Sequence, residues 1–146
     1  MTQRMDYKSA SPGAFKAMLG LEAHVRSCGL EQPLLELVKT RVSQINGCAF
    51  CLDMHTRDAR AGGETEQRLY VLPAWRESSL YTDRERAALA WAEAVTRLST
   101  DAVSDDLYAE VHRHFDDPSL VDLTLAIVAI NGWNRLAIPF RTKLGD

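Results

Sequence analysis

From Leu120 to Ile130 only two polar side chains, Asp122 and Thr124, interrupt an otherwise apolar run. Such a segment has to leave water, so it fixes one buried element at the centre of whatever fold forms. Asp117-Pro118 just upstream makes that element a helix, because proline is favoured in a helix's first turn and excluded from central strands. A core helix over 120–130 is therefore expected.

The same punctuation recurs along the chain. Ser11-Pro12 reads as an N-cap followed by proline, with Phe15, Met18, Leu19, Leu21 and Val25 behind it and Gly29 as the stop. Leu35, Val38, Val42 and Ile45 fall at i, i+3, i+7 and i+10, one face of a helix over 32–45 that Asn46-Gly47 breaks. A helix starting at or near Cys48 runs to Ala61, with Gly62-Gly63 as its stop. Thr65 to Trp75 reads as a short helix interrupted by Pro73. Thr82 and Glu85 make a capping box for the run through Leu89, Ala92, Val95 and Leu98, and Ser104 caps a helix to Phe115. No segment alternates like a strand, and no shift in composition marks a linker. We expect an all-α fold of six or seven helices in one domain, 1–146. Segments 34–47 and 119–132 also align at an offset of 85 and share Ile-Asn-Gly endings, read here as two buried helices that both stop at Asn-Gly.

Composition sets the outer limits. The chain is 46% hydrophobic and 25% charged, with a net charge of −3, values ordinary for a globular protein. That balance excludes a nucleic-acid or anionic-membrane surface as partner. The start, MTQRMDYKSASPGAF, lacks a signal peptide's apolar stretch, and no segment approaches the roughly 20 apolar residues of a membrane span. A cytoplasmic, reducing location follows. There, a pair spaced CxxC is more often catalytic or metal-binding than structural.

That pair is Cys48 and Cys51, in NGCAFCLDMH, with His55 four residues beyond the second cysteine. On a helix, i and i+3 share a face within disulfide reach, and His55 lies one turn further along it. The helix N-terminus favours thiolates, which points to the more N-terminal Cys48 as the acidic thiol; the spacing of His55 points to Cys51. A thiolate beside a histidine is an activated nucleophile, and the other thiol can resolve what it forms. Glu36, Thr40, Ser43 and Gly47 make a small or polar stripe on the preceding helix. Packed on the CxxC helix, that stripe makes Glu36 the one acidic group near the thiols, and a partly buried carboxylate there has a raised pKa suited to passing protons. Exposed, Glu36 pairs instead with Lys39 or Thr40.

Other readings of the same residues stand beside this one. Cys48, Cys51 and His55 have zinc-ligand spacing, with Cys28, Glu36 or His24 as a fourth donor. A thiol–disulfide exchanger or redox sensor needs the same pair and no peroxide. A buried structural pair with a core histidine is the blandest. Cys28 reads as a small buried hydrophobe, His24, His112 and His114 have no partner by spacing, and Trp75, Trp91 and Trp133 read as core or interface side chains. Asn131, Asn134 and Arg135 fit an interface or a helix cap.

The pattern Glu36-x(11)-Cys48-x-x-Cys51-x-x-x-His55, on two consecutive helices, resembles that of the AhpD-type alkylhydroperoxidases of the carboxymuconolactone decarboxylase superfamily. Ile130-Asn131-x-Trp133-Asn134-Arg135-Leu136 resembles a C-terminal signature of the same group. The resemblance implies an all-helical peroxidase acting on hydrogen or alkyl hydroperoxides. In that scheme Cys51 attacks the peroxide, Cys48 resolves the sulfenic acid as a disulfide, and His55 and Glu36 relay the proton. It implies a lipoyl or thioredoxin-like dithiol protein as reductant, a trimer or hexamer, and no cofactor or metal. Members carry a further histidine just before the second cysteine; here that residue is Phe50, so the relay is shorter or uses water.

Overall fold

The computed structural model describes residues 1–145. Its elements run α1 (Tyr7–Ala10), α2 (Pro12–Ser27), α3 (Gln32–Asn46), α4 (Ala49–Ala61), α5 (Glu66–Tyr70), a 3-10 segment (Leu72–Glu77), α6 (Asp83–Thr96), α7 (Asp105–His112) and α8 (Asp117–Phe140). Among the described residues there is no strand. The caps explain most boundaries. Pro12, Pro33 and Pro118 stand in first turns, where a missing N–H removes no helical bond. The Thr82 hydroxyl accepts from the Glu85 N–H while the Glu85 carboxylate accepts from the Thr82 N–H, the full capping box at the start of α6. Gly47 ends α3 with φ 69°, a left-handed turn that a Cβ would strain.

α3 is the hub, packed by α4, α6 and α8. Its Leu35, Val38 and Val42 are fully buried against Leu123, Ala126, Ile127 and Ile130 of α8 and neighbouring core residues. Each large aliphatic side chain so buried contributes about 1.5–3 kcal/mol, so this seam rather than helix propensity fixes the architecture. Two buried carboxylates tie the periphery to it. Glu22 of α2 accepts from Lys39 Nζ of α3 (2.7 Å) and from Trp133 Nε1 of α8 (3.1 Å). Glu93 of α6 accepts from Arg41 Nε of α3 (2.8 Å) and Trp75 Nε1 of the 3-10 segment (2.9 Å).

The structure corrects the sequence reading in three places. α1 is an additional short helix, capped by Asp6, whose side chain accepts from the Lys8 N–H. The single short helix expected across Pro73 is two elements, α5 and the 3-10 segment. Most consequential, Asn131-Gly132 does not stop α8, which continues to Phe140. A Cβ on Gly132 would lie 2.9 Å from Met18 Cε, the far end of a flexible side chain of α2, which would have to shift. The 24-residue α8 is consequently long and apolar enough to cross a membrane by length and composition alone, against the expectation that no segment is. Here it is the central helix, with Leu123, Ala126, Ile127 and Ala129 fully buried. The aligned Asn46 and Asn131 meet in space, where the Asn46 amide donates to both Asn131 Oδ1 and Asn134 Oδ1 at 2.9 Å. Asn134, fully buried, donates in turn to the Ser43 hydroxyl at 3.2 Å. Asn131 and Asn134 thus pin α8 to the end of α3, and Arg135 donates to Asn131 Oδ1 at 2.8 Å.

Candidate active site

The turn at Gly47 aims the start of α4 back onto α3. Cys48 is the N-cap of α4, and its sulfur accepts from the Cys51 N–H at 3.3 Å. Cys48 and Cys51 are joined as a disulfide with Cα atoms 5.3 Å apart. Both are 1% exposed. His55, one turn beyond Cys51, is 5% exposed and donates from Nδ1 to Glu36 Oε2 at 2.9 Å. This bond engages Nδ1 and leaves Nε2 of the ring free of it. Thr40 and Ser43 of the polar stripe are fully buried, as packing on α4 and α8 requires. The fold therefore brings Glu36 to His55 and joins Cys48 to Cys51.

Cys51 and His55 line one cavity of about 200 Å³, walled by Tyr7, Phe15, Phe50, Met54 and Trp133. An apolar cavity of roughly 150 Å³ already holds a benzene molecule, so this one takes a compact organic group beside the sulfur. The aromatic walls support one another: Phe15 meets both Tyr7 and Trp133 edge-on, with ring centroids 6.4 and 6.1 Å apart. Trp133, read from sequence as core or interface, is thus a wall of the site, oriented by Glu22. Burial pushes the Glu22 carboxyl up, but the hydrogen bond and charge of Lys39, helped by Trp133 and Arg26, bring it below the usual carboxylate range. Tyr7 and Phe15 come from segments far from the CxxC in sequence, and no local signal marks them.

Several readings change. Glu36 is not the one acidic group present: Glu36, His55 and Asp58 each place a ligand-type atom within 4.8 Å of the others. Asp58, three residues beyond His55 on α4, is therefore part of this polar cluster. The zinc set of Cys48, Cys51 and His55 is not assembled, since the two sulfurs are bonded to each other. Of the fourth donors weighed for it, Glu36 is bonded to His55 itself, and the other two are engaged elsewhere. Cys28 Sγ donates to the Val25 carbonyl at 3.1 Å, and His24 Nε2 lies 2.8 Å from Asp122. His112 and His114 also have carboxylate partners that spacing did not single out, Asp117 at 2.6 Å and Glu110 at 3.4 Å.

An all-helical chain with a CxxC at a helix start, facing a His–Glu pair, has the AhpD-like architecture. A family model described as the carboxymuconolactone decarboxylase family matches residues 12–94, and the chain belongs to that family. It is 46% identical over 138 residues to the uncharacterized protein YdfG of Bacillus subtilis, covering 94% of each chain. The crystal structure of a protein of unknown function from Agrobacterium tumefaciens, described there as a candidate antioxidant defence protein AhpD, superposes with a TM-score of 0.96 at 46% identity. That match covers 99% of each chain. The debrominase Bmp8 shares the fold at 18% identity, with a TM-score of 0.83 over 94% of this chain and 74% of its own.

Proposed function

We propose that the chain is a thiol-dependent peroxidase that reduces hydrogen or alkyl hydroperoxides through Cys51 and Cys48. The observation that carries this reading is that Cys51 of a redox-capable pair shares an apolar cavity with His55, whose ring Glu36 holds by Nδ1. In the reduced protein the Cys51 thiolate attacks the terminal oxygen of ROOH, and the O–O bond breaks. Cys51 becomes a sulfenic acid, and the departing alkoxide takes the proton that His55, held by Glu36, drew from the Cys51 thiol, leaving as ROH. The Cys48 thiol then condenses with that sulfenic acid, its proton leaving with the hydroxyl as water, and forms the Cys48–Cys51 disulfide. A dithiol reductant, supplied by a lipoyl or thioredoxin-like protein in a cytoplasmic, reducing setting, returns two electrons and closes the cycle.

The bulk of the cavity wall favours an organic hydroperoxide over hydrogen peroxide, and its place beside Cys51 makes this the attacking sulfur. A thiol–disulfide exchanger built on the same pair is a second reading, favoured by the separate groove onto which Cys48 opens. Steady-state consumption of cumene hydroperoxide with dithiothreitol separates the two. Turnover by the wild-type chain, lost in Cys51→Ser, is the expected result; disulfide reduction without peroxide consumption by the wild type selects the exchanger.

A further inference from the structure

The two cysteines of the disulfide line different cavities. Cys51 lines the aromatic cavity above, whereas Cys48 lines a separate groove of about 540 Å³. Phe50 and Ala137 line both, so they are the wall between them. With both cysteines 1% exposed, each sulfur is approached through its own cavity. The Cys48 groove has an apolar lining that includes the exposed Ile138 and Leu144, and it carries Arg141 and Lys143. Among the described residues no carboxylate lines it, and neither cation makes an ion pair.

We infer that this groove is the docking surface for the reductant, a dithiol carried on an acidic protein surface, and that Cys48 is the sulfur it attacks. The inference rests on the pair being redox-active, as proposed above. A reductant thiolate attacks Cys48 Sγ, the Cys48–Cys51 bond breaks, and Cys51 leaves as a thiolate. The Cys51 thiolate is released into the cavity it shares with His55. The reductant's second thiolate then attacks its own sulfur in the mixed disulfide and releases Cys48 as a thiolate. The reductant ends as a disulfide, and the protons it gave up return to the two cysteines. The apolar lining accepts the stem that carries the dithiol, while Arg141 and Lys143 complement the acidic carrier and steer its approach. Peroxide and reductant therefore use different openings, and Phe50, in the place of the family's extra histidine, separates them.

Two measurements on oxidised full-length protein test this without any peroxide. The first compares reduction by a glutamate-rich peptide carrying a CxxC dithiol with reduction by dithiothreitol at low salt, in the wild type and in Arg141→Glu/Lys143→Glu. The ratio of the two rates should fall at least tenfold in the double variant. The second treats the oxidised wild type with 2-mercaptoethanol, quenches with iodoacetamide and maps the adduct by peptide mass, which should place it on Cys48. An unchanged ratio, or an adduct on Cys51, overturns the inference while leaving the redox pair intact. A disulfide that dithiothreitol does not reduce at all removes both the redox reading and the groove's role.

Discussion

His55 Nδ1 lies 2.9 Å from Glu36 Oε2, joining the CxxC helix to the hub helix by a bond between two largely buried side chains. Glu36 holds the orientation of the ring. Replacing Glu36 with Gln keeps the volume and removes the carboxylate. We expect kcat/KM for cumene hydroperoxide to fall by about 10–100-fold, within the range proton transfer supplies, with the melting temperature little changed. A wild-type rate at every pH would take Glu36 out of the mechanism.

Cys48→Ser should stop the reaction at the first chemical step. Peroxide then leaves Cys51 as a sulfenic acid that dimedone captures, since no resolving thiol remains. In the wild type, oxidation should link Cys48 only to Cys51 and leave Cys28 free, consistent with its position on the Val25 carbonyl. Peptide mapping that finds Cys28 in a disulfide would contradict this partition.

The helices, and the nearness of Cys48 to Cys51, were legible in the sequence, and the reasons are local. Capping chemistry at Thr82, the glycine stop at Gly47 and the period of Leu35, Val38 and Val42 are encoded within one or two turns. What stayed hidden is tertiary. Gly132 reads as a breaker because its partner, Met18, comes from a helix far back in the chain. Trp133 reads as generic core because Glu22 and Lys39, which orient it, are distant in sequence. Asp58 was overlooked because its relation to Glu36 exists only once α3 and α4 pack. Tyr7 was missed because a four-residue helix carries too little periodicity to register.

Asn134 should be among the costliest single substitutions outside the cavity. It is fully buried, accepts from the Asn46 amide and donates to the Ser43 hydroxyl. Asn134→Ala removes the donor to the buried Ser43 hydroxyl and leaves the Asn46 amide with Asn131 alone, so we expect a loss of about 1–3 kcal/mol in chemical denaturation. A change below the error of the measurement would show that water replaces the amide freely.

Acid should destabilise the fold through Glu22 and Glu93. Burial pushes both carboxyls up, but the hydrogen bonds and charges around them win and hold both below the ordinary range, Glu22 through Lys39 and Glu93 chiefly through Arg76, Trp75 and Arg41. A carboxyl with a folded-state pKa below its unfolded one, about 4.3, stabilises above that value and loses its contribution as pH falls through the folded one. Urea midpoints should therefore hold from pH 7 to about pH 5 and drop below about pH 4. Glu93→Gln should flatten that drop while lowering the midpoint at pH 7.

The exposed side of α8 predicts association. Val121 and Val128 are 66% and 49% exposed, beside Leu125, Trp91 and Tyr108. Light scattering should give a trimer or hexamer, and Val121→Lys/Val128→Lys should lower the mass; a wild-type monomer would count against that surface.

The most direct test of the account is a single turnover. Pre-reduced protein is mixed with one equivalent of cumene hydroperoxide, and thiols, the product alcohol and disulfide-linked peptides are quantified together. The account predicts one cumyl alcohol per chain, loss of two thiols, and one Cys48–Cys51 linkage, all absent in Cys51→Ser. Intact peroxide beside fully reduced cysteines, or equal alcohol formation in Cys51→Ser, would contradict it.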